Sequence, residues 1–160
     1  MKLGPLTARS QTAPSVDHLS ETDRLLNLMS ARVDYLSNEW ITAVADCINA
    51  NSEIIAVARE NSISVTQIVT DTPRGDVTYH LESRDGKLSF ATGPAKVSDI
   101  AFTQDWQTAV GVATGKINAQ EAFISGKIRF KGDHERVIAT QPLFLALDAV
   151  FSAVNANTNF

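Results

Sequence analysis

The chain carries one cysteine, three histidines and no long apolar run, and each shortage removes a class of function. A single cysteine, Cys47, cannot close an internal disulfide, and a reducing cytoplasm is the simpler expectation. No apolar stretch approaches the roughly 20 residues that a membrane-spanning helix needs. Basic residues are outnumbered: 14 Lys and Arg stand against 18 Asp and Glu, for a net charge of −4. A nucleic-acid partner would call for the opposite balance, so none is expected. The histidines, His18, His80 and His134, have no Gly-x-Ser-x-Gly elbow to serve and no His-Glu-x-x-His or paired-cysteine spacing around them. The reading for His80 and His134 is therefore surface rather than catalysis, and no metal and no cofactor are expected. Cys47 shares a helical stripe with Val44 and Ile48, the usual place of a small buried hydrophobe with an inert thiol. The glycines never assemble a phosphate loop, because Gly115-Lys116-Ile117 and Gly126-Lys127-Ile128 both lack the hydroxyl residue that follows the lysine.

What is present suits one domain with a real core: 160 residues, 44% of them hydrophobic and 20% charged. Residues 1–19, rich in Ser, Thr, Pro and Ala, read as a flexible leader. Behind Ser20, Leu25, Leu28, Met29, Val33 and Leu36 recur at helical spacing, which predicts an accessory helix over 20–36. From residue 37 to 160 the pattern is that of a folded domain. A helix opens at Ser37 with Trp40, Ile41, Val44 and Ile48 on its apolar face, and a shorter one follows over 53–60. Strands are expected over 63–70, around Val77, Tyr79 and Leu81, after the Asp85-Gly86 hairpin turn, and at Ile100 and Phe102. Read in order, these four suggest a meander. Helices then cover 105–114 and the stretch behind Pro142, with a fifth strand over 125–131 between them. The fold class is α+β, a five-stranded, mostly antiparallel sheet covered on one face by helices.

The most informative stretch is Thr114–Gly132. Gly115 and Gly126 suit helix stops in the left-handed conformation. Asn118 can cap a new helix, with Glu121 placed to complete a capping box. In the strand that follows, Ile128 and Phe130 point one way and Lys127, Arg129 and Lys131 the other. Those cations are either a solvated guard on an edge strand or a patch for anionic headgroups.

In order and spacing, Gly115-Lys116, Ala122-Phe123, Gly126-Lys127, Ile128–Lys131 and Gly132-Asp133 resemble the signature of the sterol carrier protein-2 family. The resemblance runs from about Ser37 to the C-terminus. It implies an apolar tunnel that holds a fatty acid, acyl thioester, isoprenoid or sterol-like lipid without catalysis. The chain end is not a peroxisomal Ser-Lys-Leu address, which fits a bacterial-type, cytoplasmic member. Candidate lining residues are Phe102, Trp106, Val110, Phe123, Ile128, Phe130, Leu143, Phe144, Leu147 and Phe151. Periodicity does not separate a packed core from a lined cavity; the resemblance favours the cavity, with the last helix as its lid. Contact with membranes is expected to be transient at most. The rival reading is an accessory module whose apolar groove docks a partner enzyme, or a homo-oligomer joined through the 20–36 helix.

Overall fold

The structure, a computed structural model, describes residues 20–22 and 32–160. The predicted leader and most of the predicted accessory helix lie outside the described residues. Glu21 and Thr22 are helical, but the far end of that segment is not. Val33–Asp34 forms a short strand, β1, parallel to Thr158–Asn159, β7, and Leu36 sits in a turn at φ 61°. Helical spacing loses here because a partner backbone 125 residues away supplies hydrogen bonds, among them Tyr35 N–H to the Asn159 carbonyl at 2.8 Å.

Two helices follow. In α1, Asn38–Asn49, the Ser37 hydroxyl accepts from the Trp40 N–H, and Glu39 stands in the first turn. In α2, Ser52–Glu60, Asn51 caps both Glu53 and Ile54. Cys47 is half-buried, and burial, reinforced by Asp46, pushes its thiol pKa up, which suits an inert group.

Five strands build the main sheet: β2 Ile63–Thr72, β3 Gly75–Arg84, β4 Lys87–Thr92, β5 Ile100–Asp105 and β6 Arg129–Gly132. Asp85 and Gly86 both take positive φ, 52° and 75°, as a two-residue hairpin demands. The spatial order is β4-β3-β2-β5-β6, so the expected four-strand meander is corrected to three. β5 returns across the sheet to lie parallel to β2, while every other neighbouring pair in this sheet is antiparallel. The returning loop covers the back of the sheet. Ala95 N–H donates to the Thr66 hydroxyl, Ser64 N–H donates to the Asp99 carboxylate, and the ring Nδ1 of His80 lies 2.8 Å from the Gly93 carbonyl. Ser64 and Thr66, polar and on the far face from Val65, are thereby buried.

The other face carries the helices: α3 Trp106–Ala113, α4 Ala119–Ile124, α5 His134–Ala139 and α6 Gln141–Asn155, besides α1 and α2. Asp105 caps α3 through the Thr108 N–H, a bond that lowers its carboxyl pKa. Trp40, Ile48, Ile54, Val69, Leu143 and Leu147 form the centre of the packed core. Tyr35 and Tyr79 are buried in it, and burial raises both phenol pKa values above the ordinary range. The last helix, α6, is not the expected lid. It is the spine of this core, with Leu143, Leu147, Val150 and Val154 all buried and the helix packed against α1 and α2.

Candidate functional site

A cavity of about 560 Å³ opens at the β5–β6 end of the helical face, between β2, β5 and β6 below and α3, α4 and α5 above. Strand parity sets its floor. Phe102 lies opposite Gln67 on one side and Phe130 on the other, and Gln104, two residues on, shares their face. The Phe102 and Phe130 rings stand 5.4 Å apart. Phe123 meets Phe130 edge-on at 6.2 Å, and the His134 ring lies 4.2 Å from it. Ile124, Ile128, Val112, Val137 and Ile138 complete the apolar wall, with Ala119 and Gln120 beside them.

Local chemistry explains why these short elements stand where they do. Gly115 and Gly126 take φ 75° and 79° and end their helices as the sequence predicts. Asn118 Oδ1 accepts from both Gln120 and Glu121 N–H; among the described residues no bond returns from the Glu121 carboxylate, so the capping box is one-sided. Ile128 N–H donates to the Ala122 carbonyl and folds the chain back under α4. On the other wall, Asp133 caps α5, and Arg136 reaches Asp99 at 3.1 Å. Asp99 also receives Ser64 N–H and lies 3.5 Å from Arg84, so one carboxylate ties α5 to the sheet and to the back loop. A side chain at Gly132, φ 127°, would strike the Asp99 carbonyl.

The structure distributes the ten predicted lining residues unevenly. Phe102, Phe123, Ile128 and Phe130 come together in the cavity. Leu143 and Leu147 belong to the packed core instead, and Val110, Phe144 and Phe151 pack against it. Trp106 faces a second, smaller pocket of about 210 Å³ beside Tyr35, Arg74 and Phe160. Helical stripes look alike whether they meet a core or a cavity, which is why the sequence pooled them. His134, read as a surface residue, is exposed yet stands on the cavity wall. Sequence reasoning missed Gln67 and Gln104. The signal was parity: Gln67 stands between inward-facing Val65 and Val69, and Gln104 follows Ile100 and Phe102.

Among the described residues, Lys, Arg, Asp and Glu are missing from the lining, and His134 is its one titratable side chain. The wall thus offers no paired acid and base. Among the described residues no group of three or more His, Cys, Asp or Glu could hold a metal ion. Arg129 and Lys131 point away from the cavity on β6, the edge of the sheet, which favours the guard reading over a headgroup patch.

The SCP-2 sterol transfer family model matches residues 57–145, more than half of the chain. The chain belongs to the SCP-2 sterol transfer family. No curated protein matches the sequence. Solved structures share the fold. A protein of Thermus thermophilus, described as a possible sterol carrier protein, is 17% identical with a TM-score of 0.57 over 81% of this chain and 94% of its own. Sterol carrier protein domain 2 of Helicoverpa armigera is 20% identical, TM-score 0.54, over 74% and 90%. Apo sterol carrier protein 2 of Yarrowia lipolytica is 18% identical, TM-score 0.51, over 81% and 99%. Membership of the SCP-2 family supports lipid binding or transfer at the level of the family, on a fold that is generally non-catalytic.

Proposed function

We propose that the protein binds, and passes on, a hydrophobic ligand such as a fatty acid, acyl thioester, isoprenoid or sterol-like lipid, without catalysing a reaction on it. The observation that carries this reading is the apolar cavity of about 560 Å³, inside the usual range for small-molecule sites. Burial of apolar surface is sufficient for affinity there: a dozen methylenes removed from water contribute up to about 10 kcal/mol before the costs of association. Phe123, Ile124 and Ile138 flank the opening and offer a greasy path for an entering chain. Action in the cytoplasm, with at most transient contact with membranes, belongs to the same proposal.

Native mass spectrometry tests it. Protein purified without detergent and mixed with long-chain fatty acids, fatty alcohols or a sterol is expected to gain one ligand mass. An unchanged protein mass with every class overturns the reading. A separate proposal, self-association through the N-terminal segment, is checked by light scattering on the full chain and on a form lacking residues 1–31, which keeps β1, Tyr35 and Leu36; an unchanged monomer in both overturns it.

A further inference from the structure

The floor of the cavity carries two glutamines while its exposed end is mostly apolar, a poor arrangement for a lipid that enters tail first. Gln67 and Gln104 rise from the neighbouring parallel strands β2 and β5, diagonal to each other on the cavity face, since Gln67 pairs with Phe102 and Gln104 with Val69. Their Oε1 atoms are buried and have no hydrogen-bond partner among the described residues. A buried amide left unpaired is costly, so these two make the deep end of an otherwise apolar site expensive to fill with hydrocarbon. At the other end Ile124 is 84% exposed, Ile138 72% and Phe123 42%. A tail left lying there meets these apolar neighbours, with Gln120 and His134 the exposed polar side chains beside them.

The chemistry of the floor also sets the kind of polar group. A primary amide can turn either its carbonyl or its NH2 toward a guest, so a hydroxyl, which both donates and accepts, satisfies it in either orientation. An ionised carboxylate can only accept, and among the described residues no Lys or Arg lines the cavity to offset its burial, while His134 stands at the exposed end and not at the floor. Plain hydrocarbon does neither.

We propose that the cavity takes its lipid polar end first, with Gln67 and Gln104 receiving a neutral hydroxyl, so that it selects a long-chain alcohol over hydrocarbon at its deep end and holds an ionised acid only by its tail. The inference rests on the lipid-binding reading above and adds the orientation and the chemical class of ligand.

Equilibrium dialysis of radiolabelled 1-dodecanol, dodecanoate and dodecane against the full chain and its Q67L/Q104L variant tests the selectivity. The variant is expected to lose roughly tenfold in affinity for dodecanol, the worth of about one well-made hydrogen bond. Its affinities for dodecanoate and dodecane should stay within about threefold of the parent's or improve. Its melting temperature should hold or rise, because the free protein sheds two unpaired polar groups; a merely structural role would lower stability and all three affinities together. Unchanged dodecanol affinity overturns the proposal, as does an equal loss for all three ligands. The unaltered protein supplies a second measurement that no misfolded variant can confound. Nuclear Overhauser effects from the dodecanol carbinol methylene should reach the Gln67 and Gln104 side-chain amides; effects to Ile124 and Ile138 instead overturn it. If the unaltered protein binds none of the three ligands, the lipid-binding reading itself falls, a result distinct from binding without selectivity.

Discussion

One face of one sheet supports two unlike regions. Over β2, β3 and β4, helices of 12, 9 and 15 residues (α1, α2 and α6) press Trp40, Ile48, Ile54 and Leu143 into a solid core. Over β5 and β6, beyond the eight-residue α3, two helices of six residues each bury almost nothing: only Ala122 in α4, and no residue in α5. Helices that short hold their shape by caps and tertiary ties rather than by their own cooperativity. The packed region closes because long amphipathic faces have enough apolar surface to fill the space above the strands. The other stays open because its short helices stand on caps and on the Asp99 cluster and leave the space between them unfilled. The packed core and the cavity thus lie at different ends of the same sheet, and the end with few buried contacts is the one expected to open first.

The largest effect that should separate the regions is alkaline unfolding. Both tyrosines of the chain lie in the packed region, with phenol pKa values raised by burial. A raised folded pKa means that this contribution is whole below the ordinary tyrosine value, about 10, and is lost as pH rises above it. Ultraviolet titration should therefore show no tyrosinate in the native protein just above pH ~10, then both groups ionising together as the fold collapses. Gradual ionisation without unfolding would mean that the packed region is looser than described.

Next in size, Leu143→Ala should cost about 2–5 kcal/mol in urea unfolding, because Leu143 is 0% exposed and the long α6 face cannot collapse around the hole. A loss below about 1 kcal/mol would erase the contrast between the regions. Gly132→Ala should cost more than about 1 kcal/mol, since the site combines positive φ with backbone contact at Asp99. Its damage should show as faster amide exchange in α5 rather than in α6, and the reverse pattern would place the Asp99 tie in the wrong region.

Smallest in stability but not in binding is Phe123→Ala. Phe123 is 42% exposed, so the change should fall within about 1 kcal/mol while ligand affinity drops several-fold, read by denaturation and equilibrium dialysis in parallel. Asp105→Asn sharpens the boundary between the regions. The Asp105 carboxyl is held below its ordinary pKa by the Thr108 N–H, so its contribution is present above that ordinary value and fades as pH falls through the lowered one. The group is largely solvated, so the substitution should flatten the acid limb of the stability curve only slightly; a steeper limb in the variant would contradict the cap.

Much of the domain could be read before the structure because its signals are local. Ser37, Asn51, Asn118 and Asp133 each satisfy the N–H groups of the turn beside them, and Asp85-Gly86 can only be a tight turn. The alternation of Ile128, Arg129, Phe130 and Lys131 shows which side of β6 is buried before any partner strand is known. What escaped depends on residues far apart in the chain. The parallel pairing of β5 with β2 and that of Val33–Asp34 with Thr158–Asn159 leave no mark in either segment alone. The cavity was legible only in part: Phe102, Phe123, Ile128 and Phe130 were found as apolar residues, whereas Gln67 and Gln104 were hidden as polar ones.

The amino-acid sequence by itself determined the α+β class, the Asn118 cap with the Gly115 and Gly126 stops, and the family signature between Gly115 and Asp133, because each rests on neighbours within a few residues. Tertiary structure alone decided which apolar stripes meet and which stay apart. An apolar side chain carries no record of what it will face, so Leu143 became core and Phe130 became cavity wall only when the strand order placed long helices above one and short helices above the other.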